Sequence, residues 1–306
     1  MNTDPAAEPA AAPFVYARQR SLLLLLEALG GCVGRRDFQK LLFLFCQERV
    51  PKPPYEFIPY KNGAFSPTSY TDLRKLAELG LLDDGDDVQL TDAGRRFLRG
   101  ASGDIELSGF VKRHPLRGEA LVADTYRRFP YFATNSEMSD RLLRDDPPSL
   151  ARVAEARVAV TPSKLNTIGY EGSSIERYLN LLIQAGVTVL CDVRRNPLSR
   201  KYGFAKSTLS KWCEQVGIRY EHLPALGIAS EQRRELNTQA DYDALFADYE
   251  AHWLPLQGAA LDHVARWIGA GSHVALTCFE RLPEQCHRHC VGEALEARMQ
   301  LRARHL

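Results

Sequence analysis

The chain has 306 residues, of which 45% are hydrophobic and 25% are charged, a composition typical of globular proteins with enough apolar side chains for a folded core. Its 39 lysines and arginines nearly balance its 38 aspartates and glutamates, which excludes the strong positive field of a protein that coats nucleic acid non-specifically. The length predicts two domains, because domains usually have about 100–200 residues.

The cysteines and the apolar segments indicate a cytoplasmic protein. Seven cysteines are irregularly spaced, several within apolar runs such as LLFLFC and VTVLCDV, a pattern that favours reduced thiols over disulfides. The longest apolar stretch, SLLLLLEALGGCVG, contains Glu27 and is followed by Arg35 and Arg36, so we expect no membrane span. The preceding MNTDPAAEPAAAP lacks the features of a secretion signal, and residues 1–13 are expected to form a disordered leader.

Residues 14–100 are expected to form a mainly α-helical, winged-helix-like domain. The spacing of leucines predicts helices over residues 16–30, 36–47 and 69–79. The segment LLDDGDDVQLTDAGRRFL then has the pattern of a strand, an acidic turn, a strand and a helix capped by Thr91 or Asp92. Winged helices serve both as DNA readers and as protein-binding modules, and the pattern does not choose between these roles.

Residues 101–162 are expected to be a helical extension that links the two domains. Cations alternate with rings in FVKRHPLRGEALVADTYRRFPYF, a mixture that suits contact with phosphates and bases. The candidates for nucleic-acid contact are Arg113, Arg117, Arg127 and Arg128. The alternative, which is commoner for charge runs, is an amphipathic helix with a solvated basic face and an aromatic core.

Residues 163–306 are expected to form an α/β domain. Four β-branched or apolar runs, namely NTIGYE, VTVLCDVR, IRYEHLP and HVALTCFE, alternate with helical segments such as SIERYLNLLIQAG. This order predicts a mostly parallel, Rossmann-like sheet with flanking helices. Open parallel sheets bind ligands beyond the carboxyl ends of their strands, so the residues that follow each run are the candidate site.

Three of these strand ends are rich in carboxylates and cations. The candidate catalytic residues are Glu171, Asp192, Glu280 and His287. The candidates for holding a substrate or its phosphates are Tyr170, Arg194, Ser199, Arg200 and Arg288. Arginine binds phosphate oxygens bidentately, and a carboxylate can stabilise or attack an oxocarbenium-like sugar carbon or activate water. The alternative is that Asp192 and Arg194 only pair with each other.

The segment TCFERLPEQCHRHC raises the further possibilities of a metal site or a cysteine nucleophile. Zinc is disfavoured because His287 is expected to point away from its neighbour Cys286 and because the paired spacings of zinc modules are missing; no metal and no cofactor are expected. In cysteine phosphatases the anion-binding loop closes with an arginine, and the corresponding positions hold Glu284 and Gly292. A thiol activated by His287 stays open, whereas the third interpretation makes Glu280 the chemical group and buries Cys286.

Two sets of motifs resemble known families. TIGYEG, DVRRNPLSR, GIRYEHLPALG and CFERLPEQCHR resemble the successive signatures of domain-of-unknown-function family 488 over about residues 166–296. The resemblance implies no particular chemistry, but it covers the motif positions Glu171, Asp192, Arg194, Pro197, Ser199, Glu280, Cys286, His287 and Arg288. In the first half, FQKLLFLF followed by PYKNGAFSPTSY is similar to winged-helix-like segments of defence proteins related to the antitoxin SocA and the Panacea group, which implies a nucleic-acid or conflict-system setting.

These observations favour an enzyme that acts on nucleic acid, above all DNA, or on a nucleotide. We expect hydrolysis of an N-glycosidic bond, such as removal of a normal or modified base in repair or phage defence, with Glu280 or Asp192 at the sugar carbon and arginines on the phosphates. One alternative is a nucleotide-sensing, DNA-binding regulator without catalysis. Another is a phosphodiesterase whose metal is held by Asp192 and Glu280. The oligomeric state stays open.

Overall fold

The computed structural model describes residues 13–49, 51–99, 105–157, 163–233 and 236–306, so the predicted leader lies almost entirely outside the described residues. The chain divides into two compact units. One contains the residues up to Glu56 together with Ala64–Thr125, and the other contains Phe57–Gly63 and Tyr126–Leu306. Within the described ranges, every helix is too short or too polar to cross a bilayer.

The first part of the chain is mainly helical. Its elements are α1 (Ala17–Ala28), β1 (Cys32–Gly34), α2 (Arg35–Gln47), β2 (Ile58–Tyr60), β3 (Gly63–Phe65), α3 (Pro67–Glu78), β4 (Leu82–Asp84), β5 (Asp87–Leu90), α4 (Asp92–Leu98), α5 (Ile105–Arg113) and α6 (Gly118–Arg128). Strands β1, β5 and β4 form an antiparallel sheet in that order. The predicted hairpin is therefore β4–β5, and α4 begins at the predicted cap, because Thr91 Oγ1 accepts a hydrogen bond from the Gly94 amide at 3.1 Å.

The second part of the chain alternates strands and helices. Its elements are α7 (Ser139–Leu142), α8 (Pro147–Ala156), β6 (Leu165–Gly169), α9 (Ile175–Gln184), β7 (Val189–Asp192), α10 (Lys206–Gln215), β8 (Arg219–His222), α11 (Gln239–Asp248), α12 (Gly258–Gly269), β9 (Val274–Cys278), α13 (Arg288–Met299) and β10 (Ala303–His305). Helix α9 begins at a serine cap, since Ser174 Oγ accepts a hydrogen bond from the Arg177 amide at 3.0 Å.

The sheet of this unit has five strands in the order β10-β6-β9-β7-β8, and every pair is parallel. The four predicted strands are β6 to β9, so the α/β prediction is confirmed. The fifth strand, β10, was not predicted, because Ala303–His305 is short and charged and has no apolar run to mark it. It pairs with β6 at one edge of the sheet.

The sheet is covered on both faces by helices. Alternate residues of β9 point to opposite sides: Leu276 belongs to the core on one face and Ala275 to the core on the other. Helices α9 and α10 contribute to the core that contains Ala275, whereas α12 and α13 contribute to the core that contains Leu276. Because the central strands are buried on both faces, they read as continuous apolar runs, and the first polar side chains stand at their ends.

Candidate functional site

Three neighbouring strands end side by side, and the residues that follow them form a cleft. Tyr170 follows β6, Phe279 and Glu280 follow β9, and Arg194 lies two residues beyond β7. The cleft has a volume of about 430 Å³ and is lined by Tyr170, Arg194, Arg195, Asn196, Leu198, Ser199, Arg200, Lys201, Ile228, Arg233, Cys278, Phe279 and Glu280. Of the residues predicted to act on or hold a substrate, Tyr170, Arg194, Ser199, Arg200 and Glu280 meet here.

Asp192 and Arg194 form a buried ion pair. The Arg194 Nε donates to both carboxylate oxygens of Asp192, at 2.8 and 3.0 Å, and a second guanidinium nitrogen also donates to Oδ2. The Arg194 amide and the Tyr220 hydroxyl donate to the same carboxylate, at 3.1 and 2.6 Å. Burial alone would lower the pKa of the Arg194 guanidinium, but the hydrogen bonds and charge of Asp192 raise it above its ordinary value.

This arrangement corrects the expected role of Asp192. Its carboxylate already accepts hydrogen bonds from Arg194 and Tyr220 and is fully buried, and it is not among the lining residues of the cleft. The alternative of simple pairing, considered from the sequence, is therefore the one that the contacts favour. Asp192 is placed to orient Arg194 rather than to reach a sugar carbon or to bind a metal ion.

Arg194 in turn fixes one wall of the cleft. Its remaining guanidinium nitrogen donates to the Tyr170 hydroxyl and to the Phe204 carbonyl, both at 2.9 Å. The Tyr170 ring stacks on the Phe204 ring, with centroids 4.4 Å apart and planes 9° from parallel. With its donors used in this way, Arg194 organises the wall more than it offers a free fork to a ligand.

Glu280 is the carboxylate of the cleft. Its side chain is 13% exposed and one oxygen forms an ion pair with Arg233, while the other lies 3.5 Å from the Cys278 Sγ. Burial alone would raise the pKa of the Glu280 carboxyl, but the Arg233 charge and a hydrogen bond from Cys286 hold it below its ordinary value. Glu280 is therefore ionised at neutral pH and still in contact with the cleft.

The backbone beneath Glu280 is held by Gly169 and Arg288. A Cβ at Gly169 would lie 1.9 Å from the Glu280 carbonyl oxygen, so only glycine lets β6 approach this loop. The buried Arg288 guanidinium donates to the carbonyls of Glu280 and Arg281. This differs from the expectation that Arg288 holds a phosphate, because its guanidinium is buried against these carbonyls and it is not a lining residue of the cleft.

Glu171 and Ser199 lie at the rim. The exposed Glu171 carboxylate accepts a hydrogen bond from the Arg281 amide at 3.1 Å and does not line the cleft. Ser199 Oγ accepts from the Lys201 amide at 3.2 Å, and Lys201 Nζ donates to the Tyr170 carbonyl at 2.9 Å. Burial lowers the pKa of Lys201, an effect that the charge of Glu171 opposes. Glu171 thus helps to shape the loop that follows β9.

Three cations of the cleft were absent from the predicted set: Arg195, Lys201 and Arg233. Arg195 and Lys201 belong to the DVRRNPLSRKYG segment that was already singled out, so taking every cation of that loop would have found them. Arg233 lies beyond β8 in a segment without a strand-end signature. Only its ion pair with Glu280 marks it, and that pair joins positions far apart in the sequence.

Cys278, Cys286 and His287 converge next to Glu280. All three are buried, and one ligand atom from each lies within 4.8 Å of the other two. The prediction that His287 points away from Cys286 is wrong, because the Cys286 thiol and a His287 ring nitrogen lie within 4.8 Å of each other. Cys286 is extended, with φ −140° and ψ 127°, and His287 is the N-cap of α13. Adjacent side chains before a helix can turn to the same side.

The basic and aromatic region pairs largely with groups of the protein. Arg113 forms an ion pair with Glu48 at 2.6 Å, and Arg127 forms one with Asp146 at 2.8 Å. Arg117 donates to the carbonyls of His114 and Leu116, and the Arg128 guanidinium lies 5.4 Å from the centre of the Phe129 ring. Phe110 and Tyr126 are buried. These contacts resemble the simpler alternative of a solvated basic face over an aromatic core.

The fold and the site together define a three-layer α/β domain with a cation-lined cleft at the carboxyl ends of a parallel sheet. Residues 174–295 match the family model described as "Domain of unknown function DUF488". The resemblance that the C-terminal motifs carry is therefore confirmed. Searches of curated proteins and of solved structures found no match.

Proposed function

We propose that the cleft binds a nucleotide, free or within DNA, and that the protein hydrolyses its N-glycosidic bond with Glu280 as the reacting carboxylate. The observation that carries this proposal is an ionised, partly accessible carboxylate in a cleft that offers both cations and an exposed ring. A base-removing activity of this kind would suit DNA repair or phage defence.

The cations of the cleft suit the phosphate of a nucleotide. Arg195 and Arg200 line the cleft with solvent-exposed side chains, and an arginine fork binds two phosphate oxygens at once. Arg194 and Lys201 lie beside them and stiffen the wall through the Tyr170 contacts. The ligand expected from these charges is an anion.

The apolar part of the cleft suits a nucleobase. Leu198 and Phe279 line it although these residues are 77% and 43% exposed. Exposed apolar side chains of this size at a concave site commonly meet a ligand, and an aromatic ring stacks on any base. A ligand with an anionic end and a flat apolar end matches both halves of the cleft.

The chemistry follows from the ionised state of Glu280. In N-glycosidic hydrolysis the bond between the sugar carbon and the base nitrogen breaks, its electron pair leaves with the base, and positive charge builds on the sugar. The Glu280 carboxylate would stabilise that charge in a site where water is partly excluded. A water molecule supplies the oxygen that bonds to the sugar carbon, and the base takes up one proton.

The test is release of base from DNA and from free nucleotides, measured by chromatography for the wild type, Glu280→Gln and Glu284→Gln. Glu284 is a suitable control because it is exposed, lies four residues away in the same loop, and does not line the cleft. We expect wild-type release, a loss of about 10²–10⁴-fold for Glu280→Gln and little change for Glu284→Gln. Substrates should include modified bases. Undiminished release by Glu280→Gln, or no release by the wild type from any substrate, would contradict the proposal.

A regulator that binds the nucleotide without turnover is the second candidate. The mainly helical unit with its β1-β5-β4 sheet supports it, because such modules also read DNA. It predicts saturable nucleotide binding and operator binding with no substrate consumed. A phosphodiesterase with a metal held by Asp192 and Glu280 is disfavoured, since the Asp192 oxygens are engaged by Arg194 and Tyr220.

A further inference from the structure

The cluster of Cys278, Cys286 and His287 has the composition of a transition-metal site. Two thiols and an imidazole meet where β9 ends and α13 begins, and each is almost completely withdrawn from solvent. Thiolate and imidazole are the ligands that zinc-class ions prefer. The cluster adjoins Glu280, the carboxylate of the proposed function, because Cys278 Sγ lies 3.5 Å from one of its oxygens, but it does not include the cations or the ring of the cleft.

His287 is oriented as a metal ligand would be. Its Nε2 lies 3.1 Å from the Val193 carbonyl oxygen, a contact that requires the proton on Nε2. The lone pair is then on Nδ1, which faces the Cys278 Sγ. In metal sites the second imidazole nitrogen usually donates to a carbonyl or carboxylate and so fixes the ring, as it does here.

The distances fit tetrahedral coordination. Zinc bonds of about 2.3 Å to sulfur and about 2.0–2.1 Å to nitrogen place the two ligand atoms about 3.6 Å apart in a tetrahedron. The observed distance between Cys278 Sγ and His287 Nδ1 is 3.8 Å. Cys286 Sγ lies within 4.8 Å of both atoms, and in a tetrahedral zinc site it would lie about 3.6 Å from the nitrogen and about 3.8 Å from the other sulfur.

The charges also suit a divalent ion. Loss of the two thiol protons leaves two thiolates that neutralise a 2+ ion, so the bound cluster would have no net charge. The adjacent Glu280 and Arg233 already form an ion pair and add none. A neutral cluster avoids the large cost of leaving a net charge buried in the protein.

One side of the cluster faces the cleft. Cys278 and Glu280 are lining residues, whereas Cys286 and His287 are not. We propose that Cys278, Cys286 and His287 bind one zinc-class divalent ion and leave a fourth coordination position open toward the cleft beside Glu280. Three protein ligands with one open position are typical of catalytic rather than structural zinc sites.

The test uses cobalt as a spectroscopic probe and the full-length chain stripped of metal. One equivalent of Co²⁺ should give thiolate-to-cobalt charge transfer and the intense visible bands of tetrahedral coordination, and Zn²⁺ should displace both. In native mass spectrometry, Zn²⁺ should add the mass of one ion minus that of two protons. Absence of these signals from the wild type would overturn the proposal.

Substitutions of single residues identify which side chains bind the ion. Cys286→Ala and His287→Ala should weaken Zn²⁺ binding by more than the about 10–100-fold that loss of an outer partner costs. The matched control is Cys213→Ala, because Cys213 is equally buried but belongs to the core on the other face of the sheet. Cys290→Ala tests the neighbouring group of Glu250, His289 and Cys290. If Cys290→Ala or Cys213→Ala abolishes the cobalt bands while Cys286→Ala keeps them, the assignment is wrong.

Discussion

Replacing Asp192 with asparagine tests whether this carboxylate supports the fold of the site or its chemistry. The substitution keeps the shape of the side chain and removes its charge. The Arg194 guanidinium would then be a buried cation without a counter-ion, although the asparagine oxygen, the Tyr170 hydroxyl and the Phe204 carbonyl could still accept hydrogen bonds from it. Because breaking one partner of a buried pair leaves an uncompensated charge, we expect the C-terminal unit to lose about 3–5 kcal/mol of its free energy of unfolding.

The tryptophans provide a local assay. All three, Trp212, Trp253 and Trp267, lie in the C-terminal unit, so their fluorescence during urea unfolding reports on that unit. With an m-value of about 2 kcal/mol/M, the expected loss lowers the urea midpoint by about 1.5–2.5 M. The control is Glu221→Gln, which breaks the exposed pair with Arg219 and should change stability by less than about 1 kcal/mol.

Two outcomes would refute the structural role of Asp192. One is an Asp192→Asn midpoint equal to that of Glu221→Gln. The other is a stable Asp192→Asn protein that binds ligand normally and has lost base release, which would return Asp192 to the reacting groups. A further check is the double variant Asp192→Asn with Arg194→Met, which should recover part of the lost stability because it removes the buried cation as well.

Two further predictions concern a glycine of the site and a buried lysine. Gly169→Ala should abolish the binding of a nucleoside monophosphate in calorimetry and lower the free energy of unfolding by about 1–3 kcal/mol, because the new Cβ would meet the Glu280 carbonyl. The control is Gly269→Ala, whose new Cβ meets nothing within 4 Å and which should behave as wild type. Equal binding by the two variants would contradict the close approach of β6 to the Glu280 loop. Burial, and next the charge of Arg36, lowers the pKa of Lys40 to about 7. Between pH 7 and 10 Lys40 is therefore mostly neutral in the folded protein and protonated in the unfolded chain, so the free energy of unfolding should rise with pH. Urea unfolding followed by circular dichroism should show this rise, on the order of 4 kcal/mol, in the wild type and not in Lys40→Met; parallel curves would refute the shifted pKa.

Much of the fold could be predicted because its signals are local. Strands β6 to β9 are apolar runs, helix α9 begins at a serine cap, and α4 begins at Thr91, all of which are read from a few neighbouring residues. Strand β10 was not predicted, because it forms through pairing with β6, which lies near the other end of the unit in sequence, and not through its own composition.

The location of the site could be predicted from the sequence, but the direction of its side chains could not. The strand-end rule brings Tyr170, Arg194 and Glu280 to one cleft, because a parallel sheet places the ends of its strands at one edge. It gives no direction for a side chain. Asp192 and Arg288 lie at that edge but turn inward, where Asp192 pairs with Arg194 and Arg288 donates to backbone carbonyls. These directions depend on side-chain packing, which the spacing of residues in the sequence does not reveal.

The position of β9 has a consequence for how the C-terminal unit is made. It lies between β6 and β7 in the sheet but follows β8 in the chain. As the chain emerges, β6 and β7 cannot pair with each other in the final order, and both keep an unpaired edge until Val274–Cys278 arrives. Pairing between distant segments slows folding, and open edges invite association with other chains. The strand that brings Cys278 into the cleft is thus also the one whose late insertion joins β6 to the pair formed by β7 and β8.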